Sequence, residues 1–163
     1  MPTRTQPPLS FHDLALGDEW VSPARTVTEA DIVNFAGLSG DFNPLHVDHE
    51  AARSGPFGGS VAHGMLVMSI STGLTAYAPR VDTLAFLGIV DWRFVAPVMP
   101  GDTIKVYSKV DALEPRSRDR RGVVTWNRRI VNQAGAVVQE GTTRTLVRGR
   151  VEASPESVGE VEG

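Results

Sequence analysis

The sequence has no cysteine. That excludes disulfides, thiolate metal sites and a cysteine nucleophile; it leaves the compartment open, though it fits the cytoplasm. No apolar run approaches the ~20 residues that a membrane-crossing helix needs. The opening Met1-Pro2-Thr3-Arg4-Thr5-Gln6-Pro7-Pro8 has no apolar core of the signal-peptide kind, so none is expected there. Charge of one sign is scarce. A net charge of -3 over 163 residues points neither to nucleic acid nor to an anionic membrane surface. Familiar catalytic signatures are missing too. No Gly-Lys-Ser/Thr follows the glycine-rich Ser54-Gly55-Pro56-Phe57-Gly58-Gly59-Ser60, so it reads as a flexible connection, not a phosphate loop. Gly-x-Ser-x-Gly is absent, which leaves a serine hydrolase without support. His46, Asp48, His49, Glu50 and His63 are potential metal ligands, but their spacing is not His-Glu-x-x-His, and no metal or other cofactor is expected. There is no internal repeat.

What is present suits one domain with a real core, since 41% of the residues are apolar. The polar, proline-rich residues 1–10 read as an arm, 11–150 as the domain, and the acidic 151–163 as a frayed tail. Thr28-Glu29-Ala30-Asp31 has the form of a capping box. Ile32, Phe35, Ala36 and Leu38 continue it as a helical apolar stripe, closed by Gly37, Ser39 and Gly40. A second helix is expected over His63–Tyr77. Its Met65, Leu66, Val67, Met68, Ile70, Leu74 and Tyr77 leave little polar face, the mark of a buried helix. Runs at 83–95, 103–113, 122–132 and 136–148 read as strands, and their short spacing predicts an antiparallel meander. The whole is an α+β plan: one long apolar helix packed on a twisted sheet.

Between the helices lies Gly40-Asp41-Phe42-Asn43-Pro44-Leu45-His46-Val47-Asp48. An acid, an amide and an imidazole fall within six positions, and Asn43-Pro44 bends the chain there. A carboxylate beside an imidazole is an acid–base pair suited to neutral pH. From spacing alone, a loop with a capping Asp and a surface His explains the stretch equally well.

The run Phe35 to Asp48 resembles the signature of MaoC-like dehydratases, the (R)-specific enoyl-CoA hydratases. His63-Gly64-Met65-Leu66 is a second matching block. Asp91-Trp92-Arg93-Phe94 through Pro97-Val98-Met99-Pro100-Gly101-Asp102 is a third. The resemblance spans Gly17 to Arg148. It implies the hot-dog fold, a curved antiparallel sheet around a central helix, in which sheets usually pair edge to edge; a homodimer or dimer of dimers is expected. It further implies hydration of a trans-2-enoyl thioester to the (3R)-hydroxyacyl thioester, carried by coenzyme A or acyl-carrier protein. Asp41 and His46 would be the catalytic pair, and the Gly64 amide, at a helix N-terminus, would hold the thioester oxygen. Asn43 would stabilise the loop or the acid, and His63 would support the site. The family's helix serine falls at Thr72, beside Ser71. In the basic cluster Arg116, Arg118, Arg120 and Arg121 are candidates for coenzyme A phosphates or a solvated hairpin tip. A hot-dog acyl-CoA thioesterase and a non-catalytic thioester-binding subunit are the competing readings.

Overall fold

The computed structural model describes residues 7–117 and 120–150. A short 3-10 turn, Phe11–Asp13, is followed by strands β1 (Glu19–Val21) and β2 (Arg25–Thr26). Helices α1 (Glu29–Ser39), α2 (Pro44–Val47), α3 (His49–Arg53) and α4 (Gly64–Thr75) come next, then strands β3 (Thr83–Phe94), β4 (Thr103–Arg116), β5 (Arg121–Val131) and β6 (Val137–Arg148). None of the described helices is long and apolar enough to cross a membrane. The tail expected at 151–163 lies outside the described residues.

The capping box forms as expected. The Thr28 hydroxyl accepts from the Asp31 amide at 3.2 Å, and the Asp31 carboxylate accepts from the Thr28 amide at 2.9 Å. Gly40 ends α1 with φ 77°, a left-handed conformation that glycine adopts without strain. Ile32 and Ala36 are buried on the expected stripe, but Leu38 is 83% exposed, because it falls one position off the face. Beta1 and β2 are interrupted at Ser22-Pro23 and both pair with β4.

The lead-in and the end of the expected arm are anchored. Phe11 and Leu14 are buried, and the Phe11 ring occupies the space above Gly122, where a Cβ would fall 2.2 Å from it. Leu9 bridges to Val81.

The sheet order is β1-β4-β5-β6-β3. This corrects the expected meander. Beta4, β5 and β6 follow one another as hairpins, but β3 pairs with β6 and stands at the far edge. The connection from β3 to β4 takes its hydrogen bonds elsewhere: Val98 O accepts from the Ala62 amide at 2.8 Å, and the Gly101 amide donates to Val27 O at 2.8 Å. It thereby crosses in front of α4 and helps build the site.

Alpha4 lies on the concave face. Leu66, Val67, Met68, Ile70 and Ser71 are buried, whereas Met65 is 54% exposed and Thr72 and Gly73 are exposed. The helix is thus not enclosed all round, as its apolar pattern predicted, because the sheet covers only one side. The same gap shows on β3, where Phe86, Leu87, Val90 and Phe94 are exposed along an edge that has no strand partner among the described residues.

Candidate active site

The turn after α1 places its side chains by local hydrogen bonds. Asn43, extended ahead of Pro44, caps α2: its Oδ1 accepts from the Leu45 amide at 3.0 Å. Its own amide donates to Asp41 Oδ1 at 3.2 Å. Proline is well placed at the first position of α2, because the amide it lacks would have no helical acceptor. His46 therefore sits on a short helical turn that starts afresh after the bend.

The Nδ1–H of His46 donates to the Val61 carbonyl at 2.7 Å. A carbonyl only accepts, so this bond leaves Nε2 with its lone pair in the neutral ring. Nε2 lies 4.0 Å from Asp41 Oδ2. That gap is too long for a direct hydrogen bond and suits two groups gripping one water. The two differ in setting: the side chain of His46 is 12% exposed and that of Asp41 is 53% exposed.

His63 is buried and stacks on His46, with ring centroids 3.7 Å apart. Its Nε2–H donates to the Asp41 carbonyl at 2.9 Å, tying the acid's backbone to the start of α4. Its Nδ1 has no partner. Asp41, His46 and His63 each bring one ligand atom to within 4.8 Å of the others, the one such cluster among the described residues. Of the potential ligands weighed from sequence, His46 and His63 belong to it. Asp48 instead caps α3, accepting from the amides of Glu50 and Ala51, and the exposed His49 bonds Glu29 and Ser60.

Gly64 is the first residue of α4, so its amide has no intrahelical acceptor and lies at the positive end of the helix. Its carbonyl accepts from Gln139 Nε2 at 2.9 Å. His46 and Gly64 line one cavity of about 500 Å³, with Leu45, Val61, Met65 and Phe94 as apolar walls. Phe94 packs directly on Gly64, where an added Cβ would lie 2.7 Å from the ring. A carboxylate, a lone pair on imidazole, an unspent helix amide and an apolar chamber are groups that can together add water to a polarised double bond.

The family profile described as "MaoC like domain" matches residues 15–133. The chain belongs to the MaoC-like dehydratase family. It is 36% identical over 141 residues to an (R)-specific enoyl-CoA hydratase of Rhodospirillum rubrum, covering 86% of this chain and 92% of that one. Protein MaoC of Klebsiella aerogenes is 41% identical over 122 residues; the match takes 73% of this chain but spans only 36% of that protein. The fold is the hot-dog. A Mycobacterium tuberculosis protein with a double hot-dog fold, 20% identical, superposes with a TM-score of 0.80 over 93% of this chain and 47% of its own.

Other residues expected at the site of this MaoC-like domain fall elsewhere. Ser71 and Thr72 donate to the carbonyls of Met68 and Ser69 and line a different cavity, two turns further along α4. A hydroxyl back-bonded to its own helix is the structural alternative for both. Arg116, Arg120 and Arg121 stand at the β4–β5 hairpin tip; Arg118 lies outside the described residues. Arg121 pairs with Arg148, nine positions along β6 from Gln139. At about 3.3 Å per residue the tip lies about 30 Å from the Gly64 end of its own chain. Arg116 is already paired with Glu114. Sequence reasoning missed Val61, Gln139 and Phe94, which orient or cover the site. Gln139 lies 75 positions from Gly64, and no local pattern links them.

Proposed function

We propose that the protein catalyses reversible hydration of a trans-2-enoyl thioester to the (3R)-hydroxyacyl thioester. The observation that carries this is the Asp41–His46 pair, 4.0 Å apart, beside an apolar cavity that also holds the Gly64 amide. Asp41 and His46 Nε2 grip one water. Asp41 takes a proton as the water oxygen bonds to C3. The electron pair of the double bond moves to the thioester oxygen, where the Gly64 amide stabilises the enolate. The proton returns to C2 from the same pair. The reverse sequence dehydrates. Within this reading Asn43 and His63 are positioning residues, one through the Asp41 carboxylate and one through its carbonyl. The chemistry calls on no resident cofactor, because coenzyme A or acyl-carrier protein arrives with the substrate.

The reading includes a second copy of the chain. The free, apolar edge of β3 and the exposed Met65 side of α4 invite a homodimer that covers both, or a dimer of dimers.

Crotonyl-CoA hydration measured beside thioester hydrolysis tests the function. Hydration is expected, and hydrolysis alone would establish the thioesterase reading. Asp41→Asn should abolish hydration without altering thermal unfolding, and His46→Gln should lower turnover by at least about 10²-fold. Near-normal turnover in Asp41→Asn would overturn its assignment.

A further inference from the structure

The concave face of the sheet is polar at a place where a core is usually apolar. One apolar cluster lies at the catalytic end, around Ile32, Leu66, Ile104 and Ile130. Another lies at the far end, around Phe11, Leu14, Val110 and Trp126. Between them Ser108, Thr143 and Thr145 are buried under α4, and Arg128 extends among them.

Arg128 is held without a counter-charge. Its Nε donates to Thr143 Oγ1 at 3.4 Å and its Nη1 to Ser108 Oγ, and its guanidinium lies 4.7 Å from the Trp126 ring centroid. Among the described residues no carboxylate comes within ion-pair distance of it, although eight other arginine–carboxylate pairs form. Guanidinium carries five N–H donors in a planar fork, and Nη2 has no acceptor here. Arg128 is half-buried, and the partial burial of its guanidinium pushes its pKa down to about 10. The last turn of α4, where helix carbonyls have no partner within the helix, borders the same cavities through Thr75 and Ala76. Arg128 lines two cavities. The larger, about 190 Å³, is lined with hydroxyls from Ser71, Thr72, Thr75 and Thr143.

We propose that this cavity is a subsite for a carboxylate at the far end of the acyl chain, so that the substrate is an enoyl thioester bearing an ω-carboxyl group. A half-buried guanidinium without a counter-charge at a cavity wall is matched best by an anion that accepts two parallel N–H bonds, and carboxylate has that geometry. A plain alkyl end would leave the charge unmatched. The subsite stands next to the catalytic cavity. Trp92, on its wall, donates from Nε1 to Gln139 Oε1 at 3.1 Å, and Gln139 lines the catalytic side. The flexible Met68 is the neighbouring wall on α4. Thr72 lies eight residues beyond Gly64, about 12 Å along the helix. The diacid is therefore of medium length.

The inference rests on the hydratase reading for its chemistry, but its test does not need turnover. Titration calorimetry compares decanedioyl-CoA with decanoyl-CoA, neither of which has a double bond to hydrate. Wild-type protein should bind the diacid at least about tenfold more tightly, the order expected of a charge-assisted hydrogen bond. Arg128→Gln should erase the preference, by weakening diacid binding while binding decanoyl-CoA no less tightly than the wild type does. Equal affinities in the wild type overturn the proposal, even if the variant does not fold. Hydration of trans-2-decenoyl-CoA without a diacid preference would defeat the subsite and keep the hydratase. A diacid preference with no hydration of either enoyl thioester would defeat the hydratase and keep the subsite.

Discussion

Replacing Gly64 by alanine tests the front of α4. The added Cβ would lie 2.7 Å from both Phe94 Cδ1 and Cε1. Carbons rest about 3.5–4.0 Å apart, so the ring must retreat by about 1 Å. Overpacking costs about 1–3 kcal/mol in a well-packed core. Phe94 is 56% exposed and has room to move, so the low end, about 1 kcal/mol, is expected. Catalysis should suffer more than stability. The displaced ring shifts across the cavity in which the thioester is held, and a 1 Å misplacement can cost about 10²-fold. Gly64→Pro is the complement. Proline is tolerated at a first helical position but removes the amide donor, so turnover should fall by about 10²–10³-fold. The assay pairs urea unfolding with kcat and KM for crotonyl-CoA. Adding Phe94→Ala to Gly64→Ala should restore the lost stability. A folded Gly64→Pro protein with unchanged turnover would refute the reasoning, because the thioester oxygen would then be held elsewhere.

Gly141→Ala should be more damaging to the fold than Gly64→Ala. Its Cβ would lie 2.1 Å from the Asp91 carbonyl oxygen and 2.8 Å from Trp92 Cα, both backbone, so the β3–β6 pairing must open. A loss at the top of the range of about 1–3 kcal/mol is expected in urea unfolding, and an unchanged midpoint would contradict it. Val90, 66% exposed on the free edge of β3, tests the proposed dimer: its replacement by lysine should give a monomer in light scattering of dilute protein, and a fully active wild-type monomer would sink the dimer proposal. Hydrogen bonds from Thr28, with Arg25 nearby, hold the Asp31 carboxyl below the usual carboxylate range. Because the folded value is the lower one, the stabilisation is complete above the unfolded value, about pH 4, and fades as pH falls below it. Thermal melts across that window should show a shallower loss in Asp31→Asn than in the wild type.

The α1 capping box, the four strand runs between 83 and 148 and the close grouping of Asp41, Asn43 and His46 were all legible in the residues. Each rests on contacts between positions a few apart, where chain geometry leaves few choices. Phe35 to Asp48 carried the family resemblance for the same reason. What the sequence did not contain was which partners distant segments find. Beta3 looks like the next strand of a meander, yet it pairs with β6, because the crossing connection takes its backbone partners elsewhere: the Val95 and Ala96 amides donate to Val138 O, the Gly101 amide donates to Val27 O, and Val98 O accepts from the Ala62 amide. The apolar surround of α4 looked like complete burial; one chain's sheet reaches only one side of it. Val61 fixes the tautomer of His46 through a backbone carbonyl, a group every residue carries, so no side chain advertised it. The arginines at 116–121 looked suited to phosphate, and only the length of β6 separates them from Gly64. Arg128 shares the face of Val124, Trp126 and Ile130 by the strand's period of two, but only the pairing of distant strands shows that it meets Ser108 and Thr143 there and no acid. Local hydrogen bonding and side-chain period are written along the chain, whereas burial and long-range pairing exist only once the sheet has curled around the helix.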